Sequence, residues 1–144
     1  MCSSDLIEPG EFVGLPLVRP WASNKGVYGN ALLLAGSVGK SGAAILSGSA
    51  ALRGGAGLVT IASPRPVLPI VAGAHPEYMT EPLEATPAGT VALENWNNKD
   101  IQKLLERRTV LGLGPGLGAE LETQEFIRHV VKNAEIPVIL DADG

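Results

Sequence analysis

Residues 36–60 read G-S-V-G-K-S-G-A-A-I-L-S-G-S-A-A-L-R-G-G-A-G-L-V-T, directly after the apolar run Ala31-Leu32-Leu33-Leu34-Ala35. Few folds accept such a stretch. A strand enters a glycine turn, a helix of small residues follows, and Gly54-Gly55-Ala56-Gly57 leads into a second strand. That is a βαβ unit, and the loop at the carboxyl end of its first strand is where α/β sheets take ligands. The alternation resumes downstream. A strand over Thr109–Leu113 opens into Gly114-Pro115-Gly116-Leu117-Gly118, a helix spans Glu120–Asn133, and a strand over Pro137–Leu140 runs into Asp141-Ala142-Asp143-Gly144. Strands and helices alternating with short links predict a doubly wound, mainly parallel α/β sheet.

Within that frame, Asn30–Gly36 is a strand buried on both faces, as a continuous apolar run suggests. Ser41 is a candidate N-cap for a helix from Gly42 to Arg53, and Gly54-Gly55 terminates it. Gly48 lies inside that helix, where glycine costs about 1 kcal/mol against alanine, so a close packing contact or a ligand is expected there. A strand over Gly57–Ala62, a turn at Ser63–Pro66 and a short helix over Val67–Ala74 come next. His75–Met79 reads as extended, because a residue before proline avoids the α region. Residues 82–97 carry few order signals beyond a short strand near Val91, and 98–107 is amphipathic through Ile101, Leu104 and Leu105. Residues 1–23 read as irregular; Pro9, Pro16 and Pro20 oppose a helix, Met1–Asp5 has no packing pattern, and Leu15-Pro16-Leu17 and Pro20-Trp21 are expected across the surface.

Composition excludes several function classes. A net charge of −4 with no basic stripe opposes nucleic acid as a partner. Cys2, a lone cysteine, allows neither an internal disulfide nor a cysteine-based metal cluster. No apolar run approaches the roughly 20 residues that span a membrane, and no signal-peptide pattern opens the chain, so the cytoplasm is the default location.

Gly39-Lys40-Ser41 suggests a P-loop, but G-x-x-x-x-G-K-[ST] would put its first glycine at position 34, which is Leu34. Gly36, Gly39 and Gly42 can still present backbone N–H groups at a helix start, with Lys40 either adding charge or simply solvated. Gly112–Gly118 fails the dinucleotide fingerprint G-x-G-x-x-G because of its spacing and Pro115. That glycine loop is either a tight turn or a ligand contact; two such loops at equivalent strand ends favour contact. Asp141 and Asp143, alternate residues after a buried strand, are expected to face one crevice, suited to Mg²⁺ or to hydrogen bonds with hydroxyls or amides. Their plain alternative is a helix cap and a solvated acid. His75 and His129 have no metal-site spacing, and Glu77 is as well explained by a turn.

Six pieces in order carry a resemblance: Asn24-Lys25-Gly26-x-x-Gly29; Ala35-Gly36-Ser37 with Gly42-Ala43-Ala44; Ala51-Leu52-Arg53-x-Gly55-Ala56-Gly57-Leu58-Val59-Thr60; Pro76-Glu77-x-Met79; Gly114-Pro115-Gly116-Leu117-Gly118; and Leu140-Asp141-Ala142-Asp143-Gly144. Together they resemble the ADP/ATP-dependent NAD(P)H-hydrate dehydratases, a metabolite-repair branch of the ribokinase-like superfamily. Asn24 stands where the family usually has histidine.

The resemblance implies a ribokinase-like (Rossmann-like), three-layer αβα domain over residues 24–144, truncated, with its C-terminal part absent. It implies dehydration of the S-form of hydrated NADH or NADPH (NADHX, NADPHX) back to NAD(P)H. ADP, or ATP, is the co-substrate, Mg²⁺ assists, and the nucleotide phosphate turns the ring hydroxyl into a leaving group. Ala43 and Gly116 match positions that contact the hydrated cofactor, Gly114 and Gly118 shape the loop, and Asp141 and Asp143 match the family's acid pair. The family's catalytic aspartate, in a Gly-x-Gly-Asp segment, and its nucleotide loops are expected beyond Gly144, so this stretch alone is expected to be inactive. Full-length members are commonly tetramers. Two alternatives stand beside this: a small-molecule (vitamin-precursor) kinase of the same superfamily, and a non-catalytic fragment or binding module.

Overall fold

The computed structural model describes Gly10, Val13 and residues 18–144. The expectations for Met1–Asp5, Pro9 and Leu15-Pro16-Leu17 lie outside the described residues. The elements run β1 (Asn30–Leu34), α1 (Ser41–Arg53), β2 (Leu58–Pro64), α2 (Leu68–Ala72), β3 (Met79–Leu83), α3 (Glu94–Asn97), α4 (Asp100–Leu105), β4 (Val110–Leu113), α5 (Leu121–Asn133) and β5 (Val138–Leu140). A short 3-10 turn at Lys25–Tyr28 leads into β1.

The strands form one five-stranded sheet in the order β3-β2-β1-β4-β5, and every pairing is parallel. The chain builds outward from β1 through β2 to β3, then crosses back to lay β4 on the other side of β1. The order therefore reverses between β1 and β4, and the crevice at their carboxyl ends is the topological switch point.

Alternation along the strands divides the core between the two faces of the sheet. Leu32, Leu34, Ala62, Leu111 and Leu113 pack with Phe126, Ile127 and Val130 of α5 and Ile101 of α4. Ala31, Ala35, Val59 and Ile61 pack on the opposite side with Ala44 of α1, Val71 of α2 and Tyr78. This is the three-layer αβα arrangement expected. In α5 the buried stripe is Thr123, Phe126, Ile127 and Val130, one face of a 3.6-residue period. Leu121, though apolar, is exposed.

Helix α1 closes with a Schellman motif. Gly55 N–H donates to Leu52 O and Ala56 N–H to Ala51 O, with Gly55 at φ 99°. Its start differs from expectation. Ser41 lies inside the first turn, Lys40 holds the cap position, and no side chain caps the helix. Gly48 is explained by packing: a Cβ there would lie 2.4 Å from Ile61 Cδ1 and 3.1 Å from the Tyr78 ring.

The largest departure is β3. The expected extended stretch His75–Met79 is instead a turn at Pro76-Glu77, and the strand begins at Met79 and runs to Leu83, across Glu81 and Pro82. Proline is tolerated because β3 is an edge strand of the described sheet. Near Val91 there is only an isolated antiparallel bridge to Ala85. The amphipathic stretch 98–107 holds one short helix, α4, while α3 forms in the preceding stretch, where no helix was expected, and the two are separated at Lys99, whose φ is 60°.

At the amino-terminal edge of the sheet, Arg108 gathers the strands. Its Nη1 donates to Asn30 Oδ1 and Thr60 Oγ1, each at 2.8 Å, and its Nε to Leu104 O at 2.9 Å.

Candidate functional site at the sheet switch point

Two glycine loops meet where the strand order reverses. The first, Gly36–Lys40, leaves β1 and closes as a turn: Lys40 N–H donates to Ser37 O at 2.8 Å, with Gly39 at φ 81°. The second, Gly114–Gly118, leaves β4. Pro115 and Gly116 occupy the centre of its turn, closed by Leu117 N–H to Gly114 O at 3.0 Å, with Gly116 at φ 68°. Proline followed by a positive-φ glycine is the requirement of a type II turn. The loops are cross-linked. Gly36 N–H donates to Pro115 O at 2.8 Å, and the buried Ser37 hydroxyl donates to Gly116 O at 2.7 Å.

Ala43, in the first turn of α1, comes against the second loop. A Cβ on Gly116 would lie 2.8 Å from the Ala43 Cβ and 3.0 Å from Lys40 O. A Cβ on Gly118 would lie 2.9 Å from Thr90 Cγ2, and one on Gly114 would lie 1.7 Å from Asp141 O. All three glycines are buried. Each is thus required by close approach of one loop to another, in addition to any contact with a ligand. Ala43 itself is half-buried.

Asp141 and Asp143 do not share a face. The segment is a tight turn, not an extended strand: Gly144 N–H donates to Asp141 O at 2.9 Å, and Ala142 sits at φ 49°. Asp141 borders an apolar cavity of about 590 Å³ on the α1 side of β4 and β5, beside Leu33, Val110 and Ile139. Asp143 turns the other way. Its Oδ2 accepts Gly118 N–H at 2.9 Å and Lys40 Nζ at 3.1 Å. These donors, the backbone N–H first and the Lys40 ammonium next, hold the Asp143 carboxyl below its ordinary value. The cavity touches Ala35, Pro115 and Asp141 but is not lined by Ala43, Gly116 or Gly118.

The remaining motif pieces lie elsewhere. Asn24 caps the 3-10 turn by accepting Gly26 N–H at 3.0 Å. That turn rests on the amino-terminal edge of the sheet, where Gly57 N–H donates to Tyr28 O and Leu58 N–H to Gly29 O. Pro76 and Glu77 precede β3 at the same edge, with Glu77 3.7 Å from His75. Both pieces therefore stand at the opposite end of the sheet from the glycine loops. His129 stacks on Trp96 with ring centroids 5.4 Å apart. Among the described residues no three His, Cys, Asp or Glu side chains gather as a metal site, and Asp143 is already engaged. The acid pair as placed does not form a Mg²⁺ cage, and no chemical step is assigned to that ion.

Two braces had no sequence signal, Thr90 and Thr123, and Ser37 stood in a family motif without its bracing role being evident. Thr90 Oγ1 lies 2.7 Å from Thr86 Oγ1, and Thr123 Oγ1 donates to Val91 O at 2.8 Å while lying 2.9 Å from Thr90 Oγ1. This buried hydroxyl chain ties the loop before α3 to α5, and Gly89 O accepts Val38 N–H from the first glycine loop at 3.1 Å. The partners are distant in sequence, so only the fold brings them together.

A profile for the NAD(P)H-hydrate dehydratases matches residues 31–144. The chain belongs to that family. It is 39% identical over 129 residues to the bifunctional NAD(P)H-hydrate repair enzyme Nnr of Moorella thermoacetica, covering 88% of this chain and 23% of that protein. It is 37% identical over 124 residues to the ADP-dependent (S)-NAD(P)H-hydrate dehydratase of Bacillus subtilis, covering 86% of this chain and 41% of that protein. The chain thus spans well under half the length of these relatives. Among solved structures, the Bacillus subtilis ADP/ATP-dependent NAD(P)H-hydrate dehydratase co-crystallised with ATP and Mg²⁺ superposes with a TM-score of 0.64 at 32% identity, over 88% of this chain and 41% of that one. A ribokinase-like superfamily protein of Enterococcus faecalis gives a TM-score of 0.68 at 25% identity, over 85% of this chain and 39% of that one. The family member's fold is therefore ribokinase-like, and no helix among the described residues is long and apolar enough to cross a membrane.

Proposed function

We propose that this chain supplies the substrate-facing part of an ADP-dependent (S)-NAD(P)H-hydrate dehydratase, which returns hydrated NADH or NADPH to the reduced cofactor. The observation that carries it is the meeting of Ala43 and Gly116 at the switch point, in a chain of this family. Small residues on both loops let their backbones pack together at the switch point, and the nicotinamide ring is proposed to lie against that junction, with Gly114 and Gly118 setting the loop's path. The reaction eliminates the ring hydroxyl; a phosphate from ADP or ATP makes it a better leaving group, and Mg²⁺ enters with the nucleotide phosphates. The nucleotide-binding and proton-transferring groups are proposed to come from residues outside this stretch, in keeping with the greater length of the relatives. Cytoplasmic location and assembly as a homotetramer belong to the same proposal.

Calorimetric titration with hydrated NADPH tests it. The chain is expected to bind the hydrate in preference to NADPH and to show no turnover with ADP and Mg²⁺, followed by the near-ultraviolet absorbance of reduced nicotinamide. Gly116→Ala is expected to lose hydrate binding at least about tenfold and to cost about 1–2 kcal/mol in a thermal melt, because alanine disfavours φ 68° and meets Ala43. Binding unaffected by Gly116→Ala would remove the loop from the site; turnover by this chain alone would overturn the division of labour. A phosphorylated product retained without elimination would instead favour the kinase alternative.

A further inference from the structure

Among the described residues, Asp143 is the one charged side chain that bonds to both glycine loops. A single oxygen, Oδ2, accepts the Gly118 N–H at 2.9 Å from the loop after β4 and the Lys40 Nζ at 3.1 Å from the loop after β1. The turn that carries it is fixed independently, through Gly144 N–H to Asp141 O and Asp141 N–H to Leu113 O. The separation of the loops at Ala43 and Gly116 is close-packed, so a small shift in either loop changes the contact. Hydrogen bonds to an ionised acceptor are shorter and stronger than neutral ones. A carboxylate anchored on β5 and shared by both loops is placed to set that separation.

We propose that Asp143 is a positioning residue: it contacts neither substrate nor metal, and its carboxylate holds the Gly118 and Lys40 loops in the register that Ala43 and Gly116 need to receive the hydrated nicotinamide. This rests on the function proposed above.

The test uses the 144-residue chain, with hydrated NADPH as the probe. Gly118 amide hydrogen exchange is measured first, without ligand. It accelerates about tenfold or more in D143A, as loss of one hydrogen bond to a charged group implies, and stays near wild type in D143N, which keeps a carbonyl acceptor. Hydrate affinity then falls about tenfold in D143A and no more than about threefold in D143N. K40M lowers affinity less than D143A, and K40M/D143A is no weaker than D143A alone, because both act through the same oxygen. Unchanged Gly118 exchange in D143A overturns the proposal whatever the ligand does. D143N that binds as poorly as D143A, with Gly118 exchange preserved, overturns it in favour of direct contact between the carboxylate and the ligand or a cation. Wild-type chain that fails to bind the hydrate removes the functional reading itself; altered Gly118 exchange then reduces Asp143 to a structural tie.

Discussion

At the scale of single residues, the acid limb of this protein is set in part by Asp143. Its carboxyl lies below the ordinary 3.8 because Gly118 N–H and then Lys40 favour the charged form. A group whose folded-state pKa is depressed stabilises the protein above the unfolded value, and that contribution is lost as pH falls through the folded value. The Asp143 side chain remains 30% exposed, so the effect is modest in size. Following its carboxyl carbon by NMR is expected to give a midpoint below 3.8, shifted only partly upward in Lys40→Met, since the backbone donor is the larger cause. A midpoint at or above the ordinary value would show that the tie does not persist in solution. The sequence pointed to Asp143 as a functional acid but not to this bond. Its partners lie 25 and 103 residues away, and the left-handed Ala142 that turns it from Asp141 carries no compositional mark.

At the scale of elements, the βαβ unit was legible and β3 was not, for one physical reason. Around β1, α1 and β2 the local signals agree: an apolar run, turn glycines, a helix of small residues and a glycine stop. Over Met79–Leu83 they conflict, because Glu81 and Pro82 suit an edge strand but oppose a central one, and sequence pattern does not reveal which strand will be an edge. The acidic turn failed similarly: alternation holds only where the backbone stays extended. Within α1, two glycines differ by environment. Gly48 is pressed on Ile61 and Tyr78, whereas a Cβ on Gly42 meets nothing within 4 Å. The Tyr78 ring has little room to retreat, since its hydroxyl donates to Val71 O at 2.8 Å. Gly48→Val is expected to cost about 1–3 kcal/mol by overpacking, while Gly42→Ala is neutral or stabilises by up to about 1 kcal/mol. Urea titration of both variants checks this; equal effects would mean that α1 is not seated on β2 as described.

At the scale of the whole molecule, β1 decides whether the protein behaves as one cooperative unit. It pairs with both β2 and β4, and its alternate residues enter both cores: Leu32 and Leu34 on the α5 side, Ala31 and Ala35 on the α1 side. The same strand delivers the first glycine loop to the switch point, so packing on either face feeds directly into loop position. Because β1 contributes to both cores, loss of one is expected to loosen the other. Leu32 is fully buried, so Leu32→Ala is expected to cost about 2–5 kcal/mol through lost burial and the cavity left behind. The loss should not stay on one face. Trp96 packs against the α5-side core, so tryptophan fluorescence reports mainly that layer, although the fully exposed Trp21 adds a constant background. Far-ultraviolet circular dichroism reports all the helices, including α1 on the other side. In Leu32→Ala both signals are expected to shift together to lower denaturant with an unchanged slope, the signature of a two-state transition with lowered stability. A fluorescence transition that moves while the dichroism transition stays would mean that the layers unfold separately, and that the loops at the switch point are held by the α1 side alone.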